Sequence, residues 1–168
     1  MKRILVIGCP GSGKSSFARE LQRRLGIPLH HLDMMYWNAD KTTVEKRVFL
    51  ERLSAALERD EWIIDGNYSS TMELRMQKCD TVIFLDYPLE VCLGGISERR
   101  GKARSDIPWI ESEEYDKEFV DFVKNYESQS RPQVMNLLNK YSYKNIFILK
   151  DRNDAKSFLD KILDAYPV

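Results

Sequence analysis

Eight residues, Gly8-Cys9-Pro10-Gly11-Ser12-Gly13-Lys14-Ser15, have the types and spacing needed to hold a polyphosphate. They fit the phosphate-loop pattern, in which two glycines separated by four residues are followed by lysine and serine or threonine. Gly8, Gly11 and Gly13 let the backbone curl so that successive N–H groups turn inward around an anion. Cys9, Pro10 and Ser12 complete the loop, and Ser16 follows it into the next segment. Lys14 supplies a point charge to β- and γ-phosphates and is therefore a catalytic candidate, while the Ser15 hydroxyl can ligate Mg²⁺. The alternative is a glycine-rich turn with an incidental lysine. With glycine at about 7% of residues, chance gives this pattern in roughly one chain of this length in a couple of hundred.

Further candidates stand at the ends of apolar runs. Asp33 follows "HHL", Asp65 follows "WII", and Asp86 follows "VIFL". In a parallel sheet those positions fall on the carboxyl rim, where ligands bind. Asp33 is the candidate for orienting an acceptor hydroxyl or taking its proton. Each aspartate also has an ordinary alternative as a helix cap or turn residue, above all Asp86 before Tyr87-Pro88. His30 and His31 could contact substrate or simply be satisfied rim groups; Met34, Met35, Tyr36 and Trp37 could line an acceptor pocket or pack. A cationic stretch, "SERRGKARSD", carries Arg99, Arg100, Lys102 and Arg104 around Gly101. Arginines brought in by a closing segment stabilise charge in phosphoryl transfer, and a solvated charged turn is the alternative. Arg131, beside Pro132, could add to the same site from across the cleft.

The elements that would position these groups alternate along the chain. Apolar runs at Ile4–Ile7, Pro28–Leu32, Trp62–Ile64, Thr81–Leu85 and Asn145–Leu149 read as strands buried on both faces. Phe17, Leu21 and Leu25 repeat at helical spacing, and Gly26 and Pro28 end that helix. Thr42 with Glu45, and Ser70 with Glu73, read as capping boxes, the first opening a helix that carries Val44, Val48 and Leu57. Asp154 reads as the cap of a last helix with Phe158, Leu159, Ile162, Leu163 and Tyr166 on its apolar face. Strands alternating with helices predict an α/β fold: a three-layer sandwich with a five-stranded parallel sheet between helices.

The chain has 168 residues, 43% hydrophobic and 31% charged, which predicts one soluble domain with a real core. Lys and Arg together number 26, as do Asp and Glu. That balance argues against a nucleic-acid-binding surface as the main purpose, although a local basic patch stays open. "MKRILVIG" is too short for a signal-peptide core and no run is long enough for a membrane span. Three cysteines (Cys9, Cys79, Cys92) without metal-ligand spacing predict reduced thiols and a cytoplasmic protein. A GTPase switch is disfavoured, because Ser142 stands where the aspartate after Asn139-Lys140 would be needed. A large motor ATPase needs more chain.

"IGCPGSGKSSFA", "IPLHHLDMMYWN", "EWIIDGNYS" and "VIFLDYP", with the arginine-rich stretch after them, carry a resemblance over about residues 1–168. The layout resembles the adenylate kinase-like branch of P-loop kinases, which includes nucleoside monophosphate, shikimate and gluconate kinases. The chain as a whole is similar to a bacterial group named DNA topology modulation proteins. The resemblance implies an acceptor-binding helical segment over about 33–57 and a short lid over about 99–115, open without ligand. It implies ATP and Mg²⁺ as cofactors, Ser15 and Asp65 as metal-site residues, and Arg99 or Arg100 stacked on adenine. Arg104 and Arg131 would clamp the transferring phosphoryl group, and the purine would lie near Lys150–Asn153. The branch's Asp-Gly-Phe-Pro-Arg motif reads here Asp65-Gly66-Asn67-Tyr68-Ser69. Ser69 replaces the arginine that grips a monophosphate acceptor, which counts against AMP and leaves Arg75 as the cation that could reach in. The expected function is a Mg²⁺-ATP-dependent phosphotransferase acting on a small hydroxyl or phosphate acceptor. The alternative is an ATP-binding regulatory or DNA-binding protein with little turnover.

Overall fold

A computed structural model describes residues 1–110 and 116–165, with side chains described through 162. The first strand, β1 (Arg3–Gly8), runs through the glycine-rich loop into α1 (Lys14–Leu25). β2 (Leu29–His31) continues into α2 (Leu32–Tyr36), and α3 (Lys46–Leu57) precedes β3 (Trp62–Asp65). Next come α4 (Ser69–Lys78), β4 (Thr81–Leu85) and α5 (Leu89–Arg99). Three helices, α6 (Lys117–Lys124), α7 (Tyr126–Gln129) and α8 (Arg131–Lys140), lead to β5 (Asn145–Leu149) and α9 (Arg152–Ala165). All strand pairs are parallel, in the order β2-β3-β1-β4-β5. This is the expected five-stranded parallel sheet flanked by helices.

The continuous apolar runs are explained by two cores, one on each face. Alternate residues of β1 serve opposite sides. Ile4 and Val6 pack with Phe17, Leu21, Cys92 and Leu159, whereas Leu5 and Ile7 pack with Leu53, Trp62, Met76 and Leu138. β1 lies between β3 and β4, so the chain leaves it to build the sheet in both directions. That makes the carboxyl end of β1 the switch point at which a crevice opens. The glycine-rich loop is built into that crevice.

Several local expectations are corrected. β2 and the edge strand β5 are only partly covered, so burial on both faces holds for β1, β3 and β4. Thr42 caps no helix. Its hydroxyl and amide both bind the Asp40 carboxylate in a turn, and α3 starts only at Lys46 after Glu45. The face of α3 is Phe49, Leu53, Ala56 and Leu57, with Val44 and Val48 half-buried. Ser70 lies inside α4 rather than at its cap, while Glu73 turns away to Lys140 and Tyr141. α9 is capped by Asp151, which accepts the amides of Asn153 and Asp154 at 2.7 and 2.9 Å. Asp154 returns the contact by accepting the Lys150 amide at 2.8 Å. Leu159 and Ile162 form the expected buried face; the Leu163 side chain and Tyr166 lie outside the described residues. The three thiols are buried and free of disulfides. Among the described residues no helix is long and apolar enough to cross a membrane.

Candidate functional site

The loop after β1 closes on itself through the Ser12 amide, 3.1 Å from the Cys9 carbonyl, and then opens α1. Gly13 is the N-cap of α1 with φ 86°, and no side chain caps that end. The first-turn amides and the positive end of the helix are therefore left to face an anion. Ser12 Oγ is buried there without a hydrogen-bond partner among the described residues. A second demand for glycine comes from α5. A Cβ on Gly11 would lie 2.0 Å from the Cys92 carbonyl oxygen, and one on Gly95 would lie 2.1 Å from the Gly11 carbonyl oxygen. Backbone therefore packs directly on backbone, and α5 braces the loop. The half-buried Lys14 points its Nζ back to the Cys9 carbonyl at 3.1 Å. Burial pulls its pKa below the ordinary lysine value, opposed by the carboxylates of Asp65 and Asp33.

The three rim aspartates have different fates. Asp65, the last residue of β3, is buried and bonded to His31 Nδ1 at 2.7 Å, a pair that the β2–β3 register puts side by side. Asp33, two residues beyond β2, accepts the Tyr68 phenol at 2.7 Å. Burial raises the Asp33 pKa, against the hydrogen bond from Tyr68 and the charge of Lys14. Asp86 does not line the cleft. It holds Arg131 through two 2.8 Å contacts and Lys150 through one of 2.6 Å, which pins the start of α8 to the end of β4. Arg131 and Lys150 thus stand away from the other candidates, whereas Lys14, Asp33, Asp65, Arg99, Arg100 and Arg104 line one cleft.

Two residues beside Asp65 have roles the sequence did not disclose. The Asn67 side chain pairs with both backbone groups of Gly8, donating to its carbonyl at 2.7 Å and accepting its amide at 3.1 Å. It ties the loop after β3 to the phosphate loop in the manner of one more ladder rung. Arg75, fully buried, does not reach the cleft. It donates to the carbonyls of Gly66 (2.7 Å), Asn67, Tyr68 (2.9 Å) and Thr71 (3.3 Å), and burial pulls its pKa down to about 9. Arg75 is therefore unavailable to grip an acceptor phosphate. Arg75→Met should destabilise the fold by about 2–4 kcal/mol, because the loop carbonyls would be left buried without their charged donor. Denaturant unfolding checks this, and a midpoint within error of wild type would contradict it.

Cations approach from the end of α5 and the segment after it. The Arg99 guanidinium lies 5.4 Å from the Phe119 ring centre. Arg104 pairs with Asp106, an acid that sequence reading passed over. Arg19 of α1 stands 3.6 Å from Asp106 and donates to Ser105 Oγ at 3.3 Å. Ser15 of α1 also lies near enough to Asp106 to help hold its charge. Burial works to raise the Asp106 pKa, yet Arg104 and Ser15 hold it down at about 2. Farther on, Trp109 meets Trp37 edge to face, with centroids 5.6 Å apart. The expectation of an open lid is thus corrected for residues 104–109. An ion pair and a hydrogen bond to α1 and an aromatic contact to the segment after α2 draw them over the cleft. Residues 111–115 of the expected lid lie outside the described residues.

The cleft measures about 1310 Å³. The phosphate loop, Asp33, Asp65, Trp37, Tyr68 and Trp109 line one part; Arg99, Arg100, Phe119, Arg152 and Lys156 line another. Hard oxygen donors suited to Mg²⁺, Ser15 Oγ and the Asp65 carboxylate, line it together. Among the described residues no group of three or more His, Cys, Asp or Glu could hold a metal ion. Mg²⁺ at nucleotide sites is ordinarily held by one or two protein oxygens together with phosphate.

A family model described as an AAA domain matches residues 4–121. No curated protein matches the chain. Among solved structures, shikimate kinase from Bacteroides thetaiotaomicron is similar at 20% identity and TM-score 0.59, covering 99% of this chain and 99% of that one. Shikimate kinase from Acinetobacter baumannii in complex with shikimate is similar at 16% identity and TM-score 0.64, covering 98% and 92%. A sugar kinase from Janibacter sp. HTCC2649, unliganded, gives 14%, 0.56, 98% and 93%. At these identities the likeness shows a shared fold.

Proposed function

The chain belongs to this AAA-domain family of P-loop proteins, and from that premise we propose that it is a Mg²⁺-ATP-dependent phosphotransferase for a small-molecule acceptor. The observation that carries this reading is the sharing of one cleft by a phosphate loop and a half-buried, phenol-bonded carboxylate, Asp33. Nucleotide hydrolysis alone has no use for an aromatic-walled recess with an acceptor-facing carboxylate.

The loop amides and Lys14 would bind the β- and γ-phosphates, and Arg99 or Arg100 would lie toward the base. Ser15 and Asp65, directly or through water, would hold Mg²⁺, whose charge offsets that of the phosphates. His31 orients Asp65. Asp33, raised in pKa by burial and oriented by Tyr68, would hold the acceptor hydroxyl or take its proton. Arg104 would stabilise charge on the moving group. Arg131, held by Asp86, is left with a structural part. On this reading residues about 33–57 would serve as the acceptor segment of a single domain and about 99–115 as its lid, of which 111–115 lie outside the described residues. With Arg75 turned inward, the recess suits a hydroxyl acceptor better than a monophosphate.

The test is a panel of nucleosides, monophosphates and small hydroxy compounds incubated with Mg²⁺-ATP. At least one hydroxyl compound should raise ADP release well above the acceptor-free background; a flat panel would count against the reading. The DNA-directed alternative rests on the name of a similar group, and the chain's net charge is zero. Any DNA affinity should be weak and fall steeply between about 50 and 200 mM salt. Salt-resistant, sequence-dependent binding would promote that alternative.

A further inference from the structure

Asp106 is a charged side chain only 2% exposed, at the phosphate end of a nucleotide-sized cleft. It does not belong to the sheet rim. A segment closed by the antiparallel bridge Ala103↔Ile110 carries it into the cleft. The groups facing it come from every neighbouring element: Arg104 from its own segment, Arg19 and the Ser15 hydroxyl from α1, and His31 and Asp33 within electrostatic reach. Ser15 is the loop hydroxyl next to Lys14. That carboxylate and that hydroxyl therefore line one cleft, where the phosphate loop directs its anion.

Two anions cannot share a small space that excludes water without a cation between them. A polyphosphate arriving alone would meet the Asp106 carboxylate and compete with it for Arg104. A hard divalent ion reverses the sign, because it accepts carboxylate, hydroxyl and phosphate oxygens together. Asp106 could then stay in place while Arg104 turns to phosphate. We propose that Asp106, carried by the lid, makes the closed cleft selective for the magnesium complex of the nucleotide over the metal-free nucleotide. This rests on the nucleotide-binding reading above. It adds a specificity residue borne by the lid rather than by the sheet.

The experiment is calorimetric titration of the full chain with ATP, in Mg²⁺ and in EDTA, for wild type and Asp106→Asn. Wild type should prefer Mg²⁺-ATP by on the order of 10²-fold, and Asp106→Asn should shrink that preference about tenfold, chiefly by tightening metal-free binding. A purely structural Asp106 would weaken both titrations alike, leave the ratio unchanged, and overturn the proposal. The wild type supplies a second measurement that needs no variant, namely tryptophan emission reporting the Trp37–Trp109 contact. ATP in EDTA should separate that pair and shift the emission, whereas Mg²⁺-ATP should leave it near the unliganded signal. Equal shifts under both conditions overturn this proposal alone. Failure of ATP to bind under either condition overturns the nucleotide reading with it.

Discussion

Lys14→Ala is expected to weaken Mg²⁺-ATP binding by on the order of 10²-fold or more, since removing one partner of a desolvated charge contact costs about 2–5 kcal/mol. Lys14 is the cation nearest the loop it belongs to: its Nζ bonds the Cys9 carbonyl and senses Asp33 and Asp65. Its ammonium is already partly stripped of water, so a phosphate meets it at little further desolvation cost. The loop fold should survive the substitution, because Gly11 and Gly95 brace it through backbone contacts that do not involve Lys14. Calorimetric titration separates the cases. Unchanged affinity would remove the phosphate-binding assignment.

Arg104→Ala should lower kcat by roughly 10²-fold or more while changing ATP dissociation only a few-fold, within the range for groups that act on transition-state charge. Arg104, which lines the cleft, is paired there with Asp106. Ground-state nucleotide binding would therefore gain little from it beyond the exchange of one anion for another. The gain appears when charge develops on the transferring oxygens and the planar guanidinium meets two of them. Arg104→Lys should rescue poorly, since a point charge cannot reproduce that fork. Steady-state kinetics alongside direct titration give the answer. Normal turnover would make Arg104 a structural partner of Asp106, and equal losses in rate and affinity would make it a ground-state phosphate ligand.

The phosphate loop was legible because its chemistry is local. Eight adjacent residues specify a backbone shape, and the strand before them and the helix after them announce themselves by pattern. The ends of β2, β3 and β4 could be read for the same reason, which is how Asp33, Asp65 and Asp86 came to notice. Their partners could not be read. His31 reaches Asp65 through a strand register set between segments 34 residues apart, and Asn67 reaches Gly8 across 59. Asp86, already the one with the strongest cap or turn alternative, is claimed by α8 and the loop after β5 through Arg131 and Lys150, a pairing the sequence did not disclose. Arg75 shows the opposite failure. A cation near the rim invites a ligand role, yet three backbone carbonyls left by the turn after β3 and one from α4 absorb it. The capping boxes misled because Thr42 and Ser70 also suit turns and helix interiors, and a motif of two residues cannot say which. Gly95 carries a signal that could have been found: a Gly94-Gly95 pair inside an otherwise good helix asks for a close backbone neighbour.

The proposed reaction transfers the γ-phosphoryl group to a small molecule rather than to water. The most direct measurement follows γ-phosphate carrying heavy oxygen from ATP by mass spectrometry, in the presence of the hydroxyl-compound panel and Mg²⁺. The heavy oxygens should leave ATP together, on one phosphoryl group attached to a single acceptor, with little in inorganic phosphate. Heavy label found only in inorganic phosphate, or remaining in ATP despite tight binding, would contradict it.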